Sequence, residues 1–166
     1  IRKEICVMGL DMYLFKTKRL EDFDLYKWWP GDLKEENPEM FEKTKQYLID
    51  RGDSNYSWQD YHEEAGYWRK ANAIHAWFVK NVQNGVDDCG NYEVTEDKVK
   101  ELLSLCEDVM KNQKKAHKIL PTQSGFFFGS YDYDEWYFVE IKYTIKILKK
   151  LKKFDYKNYV LGYHSS

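Results

Sequence analysis

The sequence predicts an α+β fold: three or four helices packed on a small antiparallel sheet, in a single globular domain over residues 1–166. Three observations carry this. Period-two apolar alternation marks a strand at 6–15, and 156–164 reads as a closing strand. Several long segments between them repeat apolar residues at helical spacing. No repeat, linker or low-complexity stretch interrupts the chain, and 166 residues are enough to bury a real core.

Taken in order, "CVMGLDMYLF" (6–15) sets Met8, Leu10, Met12 and Leu14 on one side of a strand and Gly9, Asp11, Tyr13 and Phe15 on the other. "EDFDLYKWWPGD" (21–32) ends in a Pro30-Gly31 turn. "NPEMFEKTKQYLIDRGD" (37–53) predicts a helix with Asn37 as N-cap, Pro38 at the first helical position, Phe41, Thr44 and Leu48 inward and Gly52 as the stop. "GYWRKANAIHAWFVKNVQNG" (66–85) predicts a central helix. Its apolar stripe is Tyr67, Trp68, Ala71, Ile74, His75, Phe78, Val79 and Val82. "DDCGNYEV" (87–94) is a short strand or turn. Thr95 caps a helix to about Ala116, on which Val99, Leu102, Leu103, Cys106, Val109 and Met110 share one face.

"LPTQSGFFFGSYDYDEWYF" (120–138) is the unusual stretch. Pro121 ends the preceding helical region, "GFFFG" (125–129) is a short aromatic strand, and "SYDYDE" (130–135) supplies cap candidates and first-turn acids for a last helix to about Lys153. Tyr137, Ile141, Thr144, Ile145, Leu148 and Leu151 face inward on that helix, and Lys142, Lys146, Lys149, Lys150 and Lys153 line its outer side. "YKNYVLGYH" (156–164) closes the sheet.

Aromatic residues are 17% of the chain, with fourteen tyrosines and six tryptophans. Tyr and Trp serve cores and interfaces alike. The net charge is −2, so no global field argues for nucleic acid. The distribution is uneven: residues 21–64 hold thirteen acids against five bases, and residues 111–166 hold eleven lysines against five acids. These blocks either complement each other in the fold or present a two-signed surface to a charged partner. The lysines suit non-specific phosphate contact. With arginine nearly absent from that half, no sequence-specific DNA binding is expected. Three cysteines, Cys6, Cys89 and Cys106, without a secretion signal, suit a reducing cytosol rather than a disulfide framework. No apolar run approaches the length of a membrane span.

The phosphate-loop, nucleophile-elbow, zinc-protease and dinucleotide motifs are all missing. No cofactor and no metal site is expected, since neither the cysteines nor the four histidines have ligand spacing, and an enzyme is the less favoured class. Candidate residues come from three places. Arg69 and Lys70, beside a helix start, either grip an anionic group or pair with Glu63, Glu64 or Asp134. His75 is a buried, hydrogen-bonded histidine or a catalytic base. Asp87 and Asp88 share a turn with Cys89, whose thiolate the two acids disfavour. If Phe126 and Phe128 enter the core, Phe127 faces outward, rimmed by Tyr131, Tyr133 and Trp136; alternatively the strand is buried on both faces.

The segments "MGLDMYLF" (8–15), "EEAGYWRKANAIHAWFV" (63–79), "NGVDDCGNYEV" (84–94) and "LPTQSGFFFGSYDYDEWYF" (120–138) together resemble a family of small, mostly uncharacterised proteins of phages and mobile elements of Gram-positive bacteria. The resemblance implies a cytoplasmic setting in a bacterial host cell and brings no residue assignment with it. It implies a phage-type accessory protein that acts by binding: an inhibitor of a bacterial defence system, of anti-CRISPR type, whose partner is a host defence protein or nucleoprotein effector. Its expected contact residues are Arg69, Lys70, Phe127, Tyr131, Tyr133 and Trp136. The alternative is a module that binds, sequesters or hydrolyses a nucleotide or other small molecule. Its pocket would hold His75, Asp88, Gln123 and Ser124, with Phe127 stacked on a base. A third possibility is a structural phage component without a pocket.

Overall fold

The computed structural model describes residues 10–45, 62–125 and 129–166. Among them lie six α-helices and four strands, an α+β arrangement with one antiparallel sheet. The strands are β1 (Asp11–Lys18), β2 (Glu63–Arg69), β3 (Tyr92–Glu93) and β4 (Tyr159–Ser165), in the spatial order β2-β1-β4-β3. The two inner strands therefore come from opposite ends of the described chain. They run in continuous register from Met12 opposite Ser165 to Lys18 opposite Tyr159. Against β2 the register of β1 slips between Leu14 and Phe15.

Alternation along β1 sends Leu10, Met12 and Leu14 to the helix-covered face. There they meet Trp68 of β2 and Leu161 and Tyr163 of β4. The cover is α3 (Asn72–Asn81), α4 (Glu96–Lys111) and α6 (Glu135–Leu151). Val99, Leu102, Leu103, Cys106 and Val109 are the buried side of α4, and Tyr137, Ile141, Thr144, Ile147, Leu148 and Leu151 that of α6. Ile147 is buried where the periodicity places Ile145, which is only half-buried. The opposite face of the sheet is aromatic. Phe15 stacks on His62 with ring centres 4.1 Å apart, and Trp29 meets His164 edge-on at 5.2 Å. A second apolar cluster, Leu25, Leu33 and Phe41, joins α1 (Pro30–Glu36) to α2 (Pro38–Thr44).

The helix starts follow capping chemistry. Asn37 accepts from the Met40 amide at 3.1 Å, Thr95 from Lys98 at 3.4 Å and Asp134 from Tyr137 at 3.1 Å, each meeting a backbone donor left free at a helix start. The described part of the helix expected over 37–53 is α2; Leu48 and Gly52 lie outside the described residues, as do Cys6, Met8, Gly9 and the triplet Phe126–Phe128.

Four local readings are corrected. Residues 66–71 are not helical: Gly66 and Trp68 point inward from β2, Tyr67 and Arg69 point outward, and the helix begins only at Asn72. Between them Lys70 takes φ +53°, a left-handed turn that breaks the strand without a glycine to announce it. Pro30 and Gly31 do not make a turn. Pro30 opens α1, where its fixed φ suits a first helical turn that has no amide to lose. The helix from Thr95 stops at Lys111, and a 3-10 turn and the short α5 (Ala116–Ile119) follow. Cys89 is disulfide-bonded rather than a free thiol; Cys106 is a free thiol, buried and pushed up to about 12 by that burial.

Candidate functional site

The turn at Lys70 and the segment after α5 meet. Asn72, buried at the start of α3, binds the Gln123 backbone in both directions: its amide donates to the Gln123 carbonyl at 2.8 Å, and the Gln123 N–H donates to its side-chain oxygen at 2.6 Å. Gly129, at φ +83°, lies so close to Lys70 that a β-carbon there would stand 3.0 Å from the Lys70 carbonyl oxygen. Tyrosine hydroxyls secure the rest. Tyr137 donates to the Leu120 carbonyl at 2.7 Å, and the Thr122 amide donates to the Tyr133 hydroxyl at 3.0 Å. The Thr122 hydroxyl donates to the Tyr131 carbonyl at 2.9 Å. The 120–125 segment is thus fastened to α3 and α6, and the 129–134 segment to Thr122 and the Lys70 turn.

Fastening this segment leaves one side of α6 uncovered. Trp136 is 74% exposed, Val139 47% and Tyr143 46%. At spacings of three and four they form an apolar stripe separate from the buried side of the helix. Tyr131 and Tyr133 are exposed beside it, and Tyr133 meets His117 edge-on at 6.2 Å. Farther along, Lys142, Lys146, Lys149 and Lys150 are exposed.

A recess of about 310 Å³ opens between the end of β2 and this stripe, lined by Tyr67, Trp68, Arg69, Val139, Glu140 and Tyr143. Its floor is firm: the Trp68 indole donates to the Thr144 hydroxyl at 2.9 Å, and that hydroxyl donates to the Glu140 carbonyl at 2.8 Å. Tyr67 donates to the Asp11 carboxylate at 2.5 Å, and this bond, ahead of burial, pushes its phenol up to about 12. Burial foremost, then the charge of Asp134, raises the Glu140 carboxyl to about 7. Arg69 and Glu140 border the same recess, yet no ion pair joins them among the described residues.

The contact residues expected from the sequence distribute as follows. Arg69 lines the recess, Lys70 forms the turn beside Gly129, and Tyr131, Tyr133 and Trp136 are exposed on the adjoining surface. Arg69 makes no ion pair with Glu63, Glu64 or Asp134 among the described residues. Phe127 lies outside the described residues. The four residues of the alternative pocket separate into different networks. His75 is wholly buried, with its ring nitrogens 2.7 Å from the Tyr163 hydroxyl and 3.0 Å from the Asp87 carboxylate. Asp88 instead accepts from the Tyr92 hydroxyl at 2.8 Å and the Gly90 amide at 2.9 Å. Gln123 is held by Asn72, and Ser124 is exposed. Among the described residues no three His, Cys, Asp or Glu side chains are grouped as metal ligands, and no helix is long and apolar enough to cross a membrane.

Sequence reasoning passed over Val139, Glu140 and Tyr143. The available signal was the spacing Trp136, Val139, Tyr143 on a helix whose inward set was already assigned. No family model matches the chain, and neither the curated proteins nor the solved structures contain a match to it.

Proposed function

We propose that this protein acts by binding a partner protein through the surface formed by Trp136, Val139, Tyr143, Tyr131, Tyr133 and the Arg69 recess. One observation carries the reading: a helix that already buries a complete apolar face exposes a second one, headed by a tryptophan. Large apolar side chains grouped at the surface and rimmed by charge are the composition of an interaction site, and Trp, Tyr and Arg supply most of the energy in such sites. The wholly buried His75 offers a solvent-borne substrate no base, which weighs against the hydrolytic alternative.

Joined to the resemblance to small phage and mobile-element proteins, the surface supports an inhibitor of a bacterial defence system, of anti-CRISPR type, that works by occupying a host effector. The test is a plaque assay on hosts carrying defined CRISPR systems, with and without the protein expressed. Restored plaquing by the wild type, lost in Trp136→Ala/Tyr143→Ala at equal protein level, supports the reading. Unchanged restriction across the panel rejects the inhibitor, and equal activity of the double variant rejects the surface.

A further inference from the structure

The recess beside the exposed stripe pairs aromatic walls with a carboxyl that no described residue satisfies. Glu140 is half-buried and makes no hydrogen bond or ion pair through its side chain among the described residues. A carboxylate taken out of water without a partner is costly, and a cation brought to it recovers that cost. Arg69 lines the recess without pairing among the described residues. Asp134, the cap of the same helix, adds negative charge that reaches Glu140, and Asp11 stands behind Tyr67. A phosphate would meet these carboxylates, so charge complementarity selects a cationic occupant. The walls narrow the choice. Tyr67 and Tyr143 offer aromatic surface over the Trp68 floor, on which a planar, weakly hydrated guanidinium stacks while its N–H fork pairs with a carboxylate. An ammonium is compact, strongly hydrated and gains less from such walls.

We infer that this recess receives an arginine side chain of the partner, its guanidinium lying on the tyrosine walls and paired with Glu140. The inference rests on the protein-binding reading above and adds the chemistry the partner must present. Arg69 at the rim takes an acidic or carbonyl group beside that arginine.

The test uses the full chain and two small probes, N-acetyl-arginine methylamide and its uncharged isostere N-acetyl-citrulline methylamide, followed by amide chemical shifts of Trp68, Arg69, Glu140 and Tyr143. The arginine probe should saturate these shifts and bind at least about tenfold more tightly than the citrulline probe. Glu140→Gln should erase that preference while leaving the rest of the spectrum in place. Arginine binding should strengthen by about tenfold from pH 6 to pH 8, as the Glu140 carboxyl ionises beside Asp134, Arg69 and Tyr67. Equal affinity for the two probes, no shifts with either, or shifts produced by adenosine monophosphate instead would overturn the inference. Its failure is separable from that of the binding reading. If the probes fail while Trp136→Ala/Tyr143→Ala still abolishes inhibition, only the arginine pocket falls. If the arginine probe binds but no restriction is relieved, only the defence-inhibitor reading falls.

Discussion

The ring of Phe15 packs against Gly162, its partner across the two inner strands, so tightly that a β-carbon on the glycine would stand 2.1 Å from the ring's Cζ. Phe15 is fully buried and stacked on His62, so the ring has nowhere to retreat. Gly162→Ala should therefore cost about 3 kcal/mol or more, at the upper end of overpacking penalties. Chemical denaturation of the two proteins checks this. A variant within about 0.5 kcal/mol of wild type would mean that the ring can move aside.

Asn72 is the fastener between α3 and the 120–125 segment. Asn72→Ala removes both hydrogen bonds to Gln123 and should destabilise the fold by about 1–3 kcal/mol. The loss should concentrate locally. Hydrogen exchange at Gln123 and limited proteolysis between 120 and 131 should accelerate more than exchange in β1 or β4. Uniform acceleration would deny it this local role.

His62 and His164 flank Phe15, and burial holds both rings neutral, at about 3 and about 4 respectively, with the charge of His164 adding to the shift at His62. Each folded value lies below that of the unfolded chain, so from about pH 6.5 downward the unfolded state takes up protons that the folded state refuses. Stability is full above pH 6.5 and falls toward pH 4, by about 2–3 kcal/mol per histidine at pH 4.5. Glu140 acts in the opposite direction, because its raised carboxyl gains a proton on folding below pH 7; its partial exposure keeps that effect the smaller one. The melting temperature should drop between pH 7 and pH 4.5, more steeply in Glu140→Gln, and the two imidazoles should not titrate above pH 5 by NMR. A level melting temperature in the Glu140→Gln protein would refute the assignment.

Trp136 is mostly solvated and makes no side-chain hydrogen bond among the described residues. Trp136→Ala should leave unfolding free energy within about 0.5 kcal/mol, and a binding role then shows as lost inhibition without lost stability. A large drop in the melting temperature would instead make the side chain structural.

Much of the fold was legible because it rests on local chemistry. Alternation through Leu10, Met12 and Leu14, the caps Asn37, Thr95 and Asp134, and the stripe of α4 each declare themselves within a few residues. The stretch from Gly66 to Ala71 does not, because Tyr67, Trp68 and Ala71 satisfy a helical period as well as a strand's. Only pairing with β1 and the close approach of Gly66 to Ile147, where a β-carbon would meet the side chain at 3.0 Å, decide for the strand. The candidate site was half legible. Composition and position made Tyr131, Tyr133 and Trp136 candidates for an exposed patch but left burial as the alternative. The recess needs β2 beside α6, and the Asn72–Gln123 link needs a tertiary contact, so neither follows from any single segment.

Because β1 and β4 are neighbours at the centre of the sheet, the Asp11 and Ser166 backbones close a reciprocal pair of hydrogen bonds, 2.9 Å each. Such distant closure is slow to form, since the loop entropy is lost before the contact gives anything back. During translation β1 must wait for residues 159–165 to leave the ribosome before its inner neighbour arrives. Until then Met12, Leu14 and Phe15 lack their cover on that side, and a nascent chain stalled before Tyr159 is a target for chaperones or proteases rather than a working fragment.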